Sequence, residues 1–237
     1  MPNQLLPKRW ASQPQYPTGI DWGNPITRGL VWAFNGAMPR VPALGITGFT
    51  DSGTVSEVIG INGRAVSSTG KRAFSSSQCN SGTFTVFCAF EDSGTRGVAR
   101  SPFDSDNNAT TPQRVWQMYL DASNFPGFIG FSTGGGPFIP TGATANSAAG
   151  VTTLAGVVEL TSVRVYMNGL LAANQTKGSS SMNVPLATNL VGIAGGLQGN
   201  PFGGRVLQAA IFDRVLADPE IAALSSNPWQ IFAPSLS

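Results

Sequence analysis

Histidine is absent from the chain, and that absence removes more chemistry than any residue present supplies. Without an imidazole there is no Ser-His-Asp or Cys-His nucleophile pair, no histidine general base and no histidine-based zinc site. Any enzyme built on this sequence would have to work with carboxylates. Those are few: Asp and Glu together number 12, and charged residues make up 11% of the chain, against about 25% in an average soluble domain. Lys and Arg number 14 but form no cluster, so the basic stripe that marks a nucleic-acid partner is missing. No apolar run approaches the ~20 residues of a membrane span, and Met1–Trp10 lacks the apolar core of a secretory signal. The expectation is a product made in a cytoplasm, with neither nucleic acid nor membrane as partner. Only two cysteines occur, Cys79 and Cys88; they are expected to be reduced, with a disulfide left open, and nothing completes a zinc site around them. So low a charge density fits either a hydroxyl-rich surface or one partly covered by neighbouring chains, as in a homo-oligomer.

Glycine (29) and proline (17) are abundant, which suits short strands joined by tight turns and starves long helices. The clearest strand is Thr83–Phe90, where Phe84, Val86, Cys88 and Phe90 alternate with Thr85, Phe87 and Ala89. Phe87 on the second face suggests that this side too is covered. Further strands are expected at Gly29–Phe34, Val55–Ile61, Val115–Leu120, Gly127–Phe131, Val151–Leu160, Ser162–Met167, Val191–Ile193 and Arg205–Phe212. Asn62-Gly63 and Asn168-Gly169 read as hairpin turns, because both residue types tolerate positive φ. In Ser162–Met167, Val163, Val165 and Met167 should face inward, with Arg164 and Tyr166 outward. Asp104–Arg114 and Ser132–Gly150 read as long loops, and the glycine run Gly134–Gly136 lacks the Lys-Ser/Thr of a phosphate loop. One short helix is expected near the end, with Asp218 as N-cap, Pro219 at its first position and Asn227-Pro228 as its stop. The fold class is therefore all-β: a two-sheet antiparallel jelly roll with one C-terminal helix.

Three regions follow. Residues 1–28 form a proline-punctuated arm carrying Trp10, Tyr16 and Trp22, which either wraps its own sandwich or docks on a neighbouring subunit. Residues 29–226 form the sandwich. Residues 227–237 form an apolar tail in which Trp229, Ile231 and Phe232 must bury against the sandwich or a partner. These six side chains are the candidate docking residues.

Candidate ligand-binding residues gather near one rim: Trp116, Tyr119, Asn107 and Asn108. Sugars stack their apolar face on aromatic rings while amides bond their hydroxyls. Trp116 and Tyr119 have opposite parity in their strand, so at least one is expected in the core. Asp104 and Asp106 are the candidate calcium ligands, in a turn-rich run that lacks the glycine and terminal glutamate of an EF-hand. No strand carries the paired carboxylates of a glycosidase, so no catalytic residue, and no cofactor beyond an optional calcium, is expected.

Three segments in order carry a resemblance: Val165-Tyr166-Met167-Asn168-Gly169-Leu170-Leu171, then Leu190-Val191-Gly192-Ile193, then Gly204-Arg205-Val206 through Ile211-Phe212-Asp213-Arg214-Val215-Leu216-Ala217-Asp218-Pro219-Glu220-Ile221. Together they resemble the laminin-G-like, concanavalin A-like jelly-roll family. Leu207-Gln208 stand where members often carry acidic residues, which weakens any metal role for that strand. The opening Gly19-Ile20-Asp21-Trp22 with Asn24-Pro25, and the closing Asn227-Pro228-Trp229-Gln230-Ile231-Phe232-Ala233-Pro234, are similar to members encoded in bacteriophages and prophages. This resemblance implies a virion component, either a capsid decoration protein or a fibre-type subunit, contacting the major capsid protein, other virion proteins or sister subunits. It leaves two alternatives: a carbohydrate-binding adhesin module for host surface glycans and, less favoured, a glycan-cleaving enzyme.

Overall fold

A computed structural model describes residues 12–14, 19–37, 44, 46–60, 62–68, 71–76, 82–92, 99–106, 115–130, 138–146, 150–177, 190–194 and 202–233. Their strands, in chain order, are β1 (Leu30–Asn35), β2 (Ile46–Ser52), β3 (Val55–Gly60), β4 (Gly63–Ser68), β5 (Lys71–Ser76), β6 (Phe84–Glu91) and β7 (Arg100–Asp106). There follow β8 (Trp116–Leu120), β9 (Pro126–Gly130), β10 (Val151–Val158), β11 (Ser162–Met167), β12 (Leu170–Thr176), β13 (Leu190–Ile193) and β14 (Arg205–Phe212). They build two antiparallel sheets. One has eight strands in the order β12-β11-β10-β6-β14-β4-β3, with β1 sharing the free edge of β14; the other has six, ordered β2-β5-β13-β7-β8-β9.

Two apolar layers hold the molecule. The inner one lies between the sheets and includes Trp32, Phe84, Val86, Cys88, Phe90, Phe103, Trp116, Met118 and Phe128. Cys88 belongs to this layer as a free thiol, and burial pushes its pKa well above the ordinary value. Cys79 lies outside the described residues. The outer layer covers the far side of the eight-stranded sheet, where Phe87, Tyr166, Leu207 and Phe212 meet Ile20, Ile26, Ile221, Leu224, Trp229, Ile231 and Phe232. β6 is consequently buried along its whole length on both faces, as Phe87 suggested.

The cover is made by the two ends of the chain. Ile20 bridges Phe232, Asp21 N donates to Ile231 O at 2.9 Å, and Asn24 Nδ2 donates to Gln230 O at 2.8 Å. Within the arm, Pro25–Thr27 forms a single 3-10 turn capped by Asn24, so proline here opens a helical turn and does not simply keep the chain extended. Further out, Gln13 Nε2 donates to Leu207 O at 3.3 Å and Asn35 Nδ2 to Pro14 O at 3.2 Å. Gly63, at φ 120°, lies so close to the Gln13 side chain that a Cβ would overlap it.

Several expectations change. β2, β4, β5 and β7 were not expected from the sequence. Asp104 and Asp106 stand on β7 and not in a loop. Tyr166 points away from the inner layer as expected but is 1% exposed, because the C-terminal helix α1 (Asp218–Ser226) covers that face. The N-cap of α1 is Ala217, whose N–H bonds Glu220 Oε2 at 2.9 Å. Asp218 falls one position inside the helix, and its carboxylate is engaged by Tyr166 and Arg164. The Asn168-Gly169 turn has φ of 51° and 80°, as the hairpin requires.

Candidate functional site

Alternation along β8 decides what the six-stranded sheet presents. Trp116, Met118 and Leu120 enter the inner layer, while Gln117 and Tyr119 point outward and are half-buried. Tyr119 pairs across the ladder with Gly127 on β9. Gly127 has no side chain, and its backbone lies directly under the tyrosine ring; a Cβ there would overlap the ring atoms. The ring therefore lies down on the sheet. Its hydroxyl is 2.9 Å from Thr141 Oγ1. Thr141 is held in place by its bridge to Gly127 and by Gly142 N donating to Pro126 O at 2.7 Å.

Burial raises the Tyr119 phenol pKa above its ordinary value, the Thr141 bond opposes that rise, and the Asp121 carboxylate adds to it. Asp121 is fixed just beyond β8, where its Oδ1 accepts from Ser123 N at 2.8 Å and Phe125 N at 2.9 Å. The next row of the same face runs Asp104, Gln117, Ile129. The result is an aromatic platform flanked by an amide and a hydroxyl, which is the equipment for holding a polyol by stacking and hydrogen bonds.

Of the rim residues expected to bind ligand, Tyr119 alone stands on this face among those described. Trp116 is 1% exposed, stacked on Phe128 at 6.5 Å and edge-on to Phe103 at 4.7 Å. It is a core residue, because it shares parity with Met118 and Leu120. Asn107 and Asn108 lie outside the described residues. Asp104 is 2% exposed between Gly192 and Gln117. Asp106 ends β7 opposite Leu190, and its side chain is outside the described set. No group of three metal-ligating side chains occurs among the described residues.

The docking candidates divide as well. Trp229, Ile231 and Phe232 are buried against their own sandwich, the first of the two destinations expected for the tail. Trp22 is 62% exposed, on a turn braced by Asn24 N to Asp21 O at 3.0 Å, Thr27 N to Asn24 O at 3.0 Å and Thr27 Oγ1 to Asp21 O at 3.0 Å. Trp10 and Tyr16 lie outside the described residues.

Two polar clusters were not anticipated. On the outer face, Arg164 bonds Glu159 Oε1 at 2.5 Å and Asp218 Oδ1 at 2.6 Å, and Tyr166 Oη donates to the same Asp218 oxygen at 2.7 Å. At one end of the sandwich, buried Arg100 meets Asp92 at 3.1 Å and also contacts Asn124. The i, i+2 spacing of Arg164 and Tyr166 does place them on one face, but Asp218 is 52 positions from Tyr166 and no local pattern links them. Chemically these clusters neutralise carboxylates. Tyr166 and then Arg164 hold Asp218 below the usual carboxyl range, and Arg214 does the same for Glu220.

Residues 62–222 match the Laminin_G_3 family, the Concanavalin A-like lectin/glucanases superfamily. No curated protein matches the chain. Among solved structures, the Ruminococcus gnavus IT-sialidase CBM40 bound to alpha2,3 sialyllactose aligns with a TM-score of 0.50 and 18% identity, over 60% of this chain and 82% of that one. Domain 4 of AbnA, a GH43 extracellular arabinanase from Geobacillus stearothermophilus, solved with arabinotriose, aligns with a TM-score of 0.59 and 14% identity, over 83% of this chain and 98% of the other. The binding domain of Paraclostridial Mosquitocidal Protein 1 gives 0.62 and 13%, over 84% of this chain and 52% of that one, so this chain spans about half its length. At these identities the likeness is one of fold. With more than half its length matched by the family, the chain belongs to the Concanavalin A-like lectin/glucanases superfamily.

Proposed function

We propose that this chain is a non-catalytic, carbohydrate-binding jelly roll that works on a bacteriophage virion. The observation that carries the binding reading is the Tyr119 ring lying on Gly127 with its hydroxyl tethered to Thr141. Support comes from fold-mates solved with saccharides. The virion setting rests on the opening and closing segments that resemble phage-encoded members. Titrating the intact chain with an oligosaccharide panel, alongside Tyr119→Ala, tests the binding reading. Binding that ignores the substitution, or no binding at all, removes it.

A second reading, a capsid decoration or fibre-type subunit, is favoured by Trp22. An indole 62% exposed on a hydrogen-bonded turn is the kind of rigid anchor that dominates protein interfaces. Its partner would be the major capsid protein, another virion protein or a sister subunit. Cryo-electron microscopy of purified particles made with wild-type chain and with Trp22→Ala tests it. Density lost in the variant supports docking through this turn, and absence of the chain from wild-type particles overturns the virion setting.

A further inference from the structure

We infer that the Tyr119 face takes neutral saccharides and disfavours those bearing a carboxylate; this rests on the carbohydrate-binding reading above. An acidic sugar such as a sialic or uronic acid needs a cation, most effectively a guanidinium whose fork matches the carboxylate. Five arginines of the sandwich whose side chains are described are already committed. Arg72 holds Asp51 and Glu57, Arg100 holds Asp92, Arg164 holds Asp218, Arg205 holds Glu91 and Arg214 holds Glu220. Breaking any of these for a ligand would leave a protein carboxylate without its counter-charge.

Asp121, fixed at the platform's edge, has the wrong sign for an anion. Asp121 sits at the end of β8, close enough to Tyr119 to raise the cost of ionising its phenol. Asp104 stands in the neighbouring row beside Gln117. Burial does most to resist a phenolate there and Asp121 adds to it; a sugar carboxylate stacked on the ring meets the same Asp121 charge. What the face offers to hydroxyl groups is neutral: the Gln117 amide, the Thr141 hydroxyl and the Tyr119 hydroxyl, which both donate and accept. Neutral pyranoses or furanoses, stacked on the ring, are the class that uses all three.

The test is a glycan array of neutral oligosaccharides printed beside their sialylated or uronic counterparts, probed with the intact chain and three variants. Neutral members should bind, with each carboxylated counterpart at least about tenfold weaker, a difference of about 1.4 kcal/mol. Tyr119→Ala should lose the neutral signal, and Tyr119→Phe, which keeps the ring but not the hydroxyl, should weaken it by less. Asp121→Asn keeps an oxygen for the Ser123 and Phe125 N–H groups while removing the charge. It should narrow the gap for carboxylated members and leave neutral ones unchanged. Carboxylated sugars binding as well as neutral ones, with the signal lost in Tyr119→Ala, would sink this inference and leave the binding reading standing. An array with no signal, or a signal indifferent to Tyr119→Ala, takes the reading down with it.

Discussion

The Tyr166 hydroxyl donates to Asp218 Oδ1 at 2.7 Å, joining the outer face of β11 to the first turn of α1. Tyr166 is 1% exposed, so the bond is made at the base of the helix and shielded by it. Arg164 reaches the same oxygen at 2.6 Å and fixes where the carboxylate sits. Removing the hydroxyl in Tyr166→Phe keeps the ring packing and deletes one bond to a charged acceptor. Such bonds contribute about 1.5–3 kcal/mol, and exposure of Asp218 places this one at the lower end. Urea denaturation should show a loss of about 1.5 kcal/mol with unchanged m-value.

Acid should loosen the same corner. Asp218 and Glu220 have folded-state pKa values below their ordinary ones, Asp218 through Tyr166 and Arg164, Glu220 chiefly through Arg214. Each therefore contributes stability that is fully present above its unfolded value, about pH 4, and is lost as pH falls through the depressed folded value. Both pairs are partly exposed, so each is worth about 0.5–1 kcal/mol. Fluorescence of buried Trp229 should report loosening of the helix and tail below about pH 4, and Arg214→Gln should flatten that transition. A pH profile identical in the variant would place the acid sensitivity elsewhere.

What the sequence made legible follows from where the apolar pattern was clean. Phe84, Val86, Cys88 and Phe90 alternate without interruption, and β6 emerged where expected. β5 stayed hidden because Arg72 occupies the register position opposite Ile193, an inner-layer site by parity, where a charge breaks the pattern. Its burial is made tolerable by Asp51 and Glu57, the first of them on β2, which was equally unreadable. At the candidate site, parity separated Trp116 from Tyr119. Alternation could not show Thr141, 22 positions away from Tyr119, nor that Gly127 leaves room for the ring. Trp229 and Phe232 were recognisable as apolar, but their destination depended on the exposed-looking face of β11, which is covered.

The tail belongs to the fold, and truncation should say so. Trp229 is 6% exposed and Phe232 fully buried in the outer layer, and Gln230 Nε2 bonds Ala223 O at 2.6 Å. Trp229→Ala should cost about 3–5 kcal/mol, the usual range for emptying a buried indole site. Thermal denaturation should show a fall in Tm of well over 5 °C. A tail that only docked on a partner would leave the isolated chain as stable as before.

Gln208 makes the opposite kind of prediction. Its amide is 0% exposed, and neither the oxygen nor the nitrogen has a hydrogen-bond partner. A buried unsatisfied polar group costs about 1–3 kcal/mol. Gln208→Met preserves length and flexibility while removing both polar atoms, so it should raise stability by about 1 kcal/mol in denaturant titration. A destabilised variant would mean that ordered water satisfies the amide.

Gly127 controls the platform without touching a ligand. A methyl added there overlaps the Tyr119 ring, so in Gly127→Ala the ring must lift from the sheet and leave Thr141. Two effects on stability oppose each other. Alanine in a strand is better than glycine by about 0.5–1 kcal/mol, while forcing a packed ring aside costs about 1–3 kcal/mol. The net is a loss of about 0–2.5 kcal/mol, a fall in Tm of up to about 10 °C. Saccharide affinity should nevertheless fall as far as in Tyr119→Ala, because the stacking surface is no longer held flat. The displaced phenol also leaves the burial that raises its pKa, so its NMR titration should move down toward the ordinary value near 10. Unchanged affinity together with a shifted titration would show that the ring moved and the ligand did not depend on it, and the platform would have to be sought elsewhere on the sandwich.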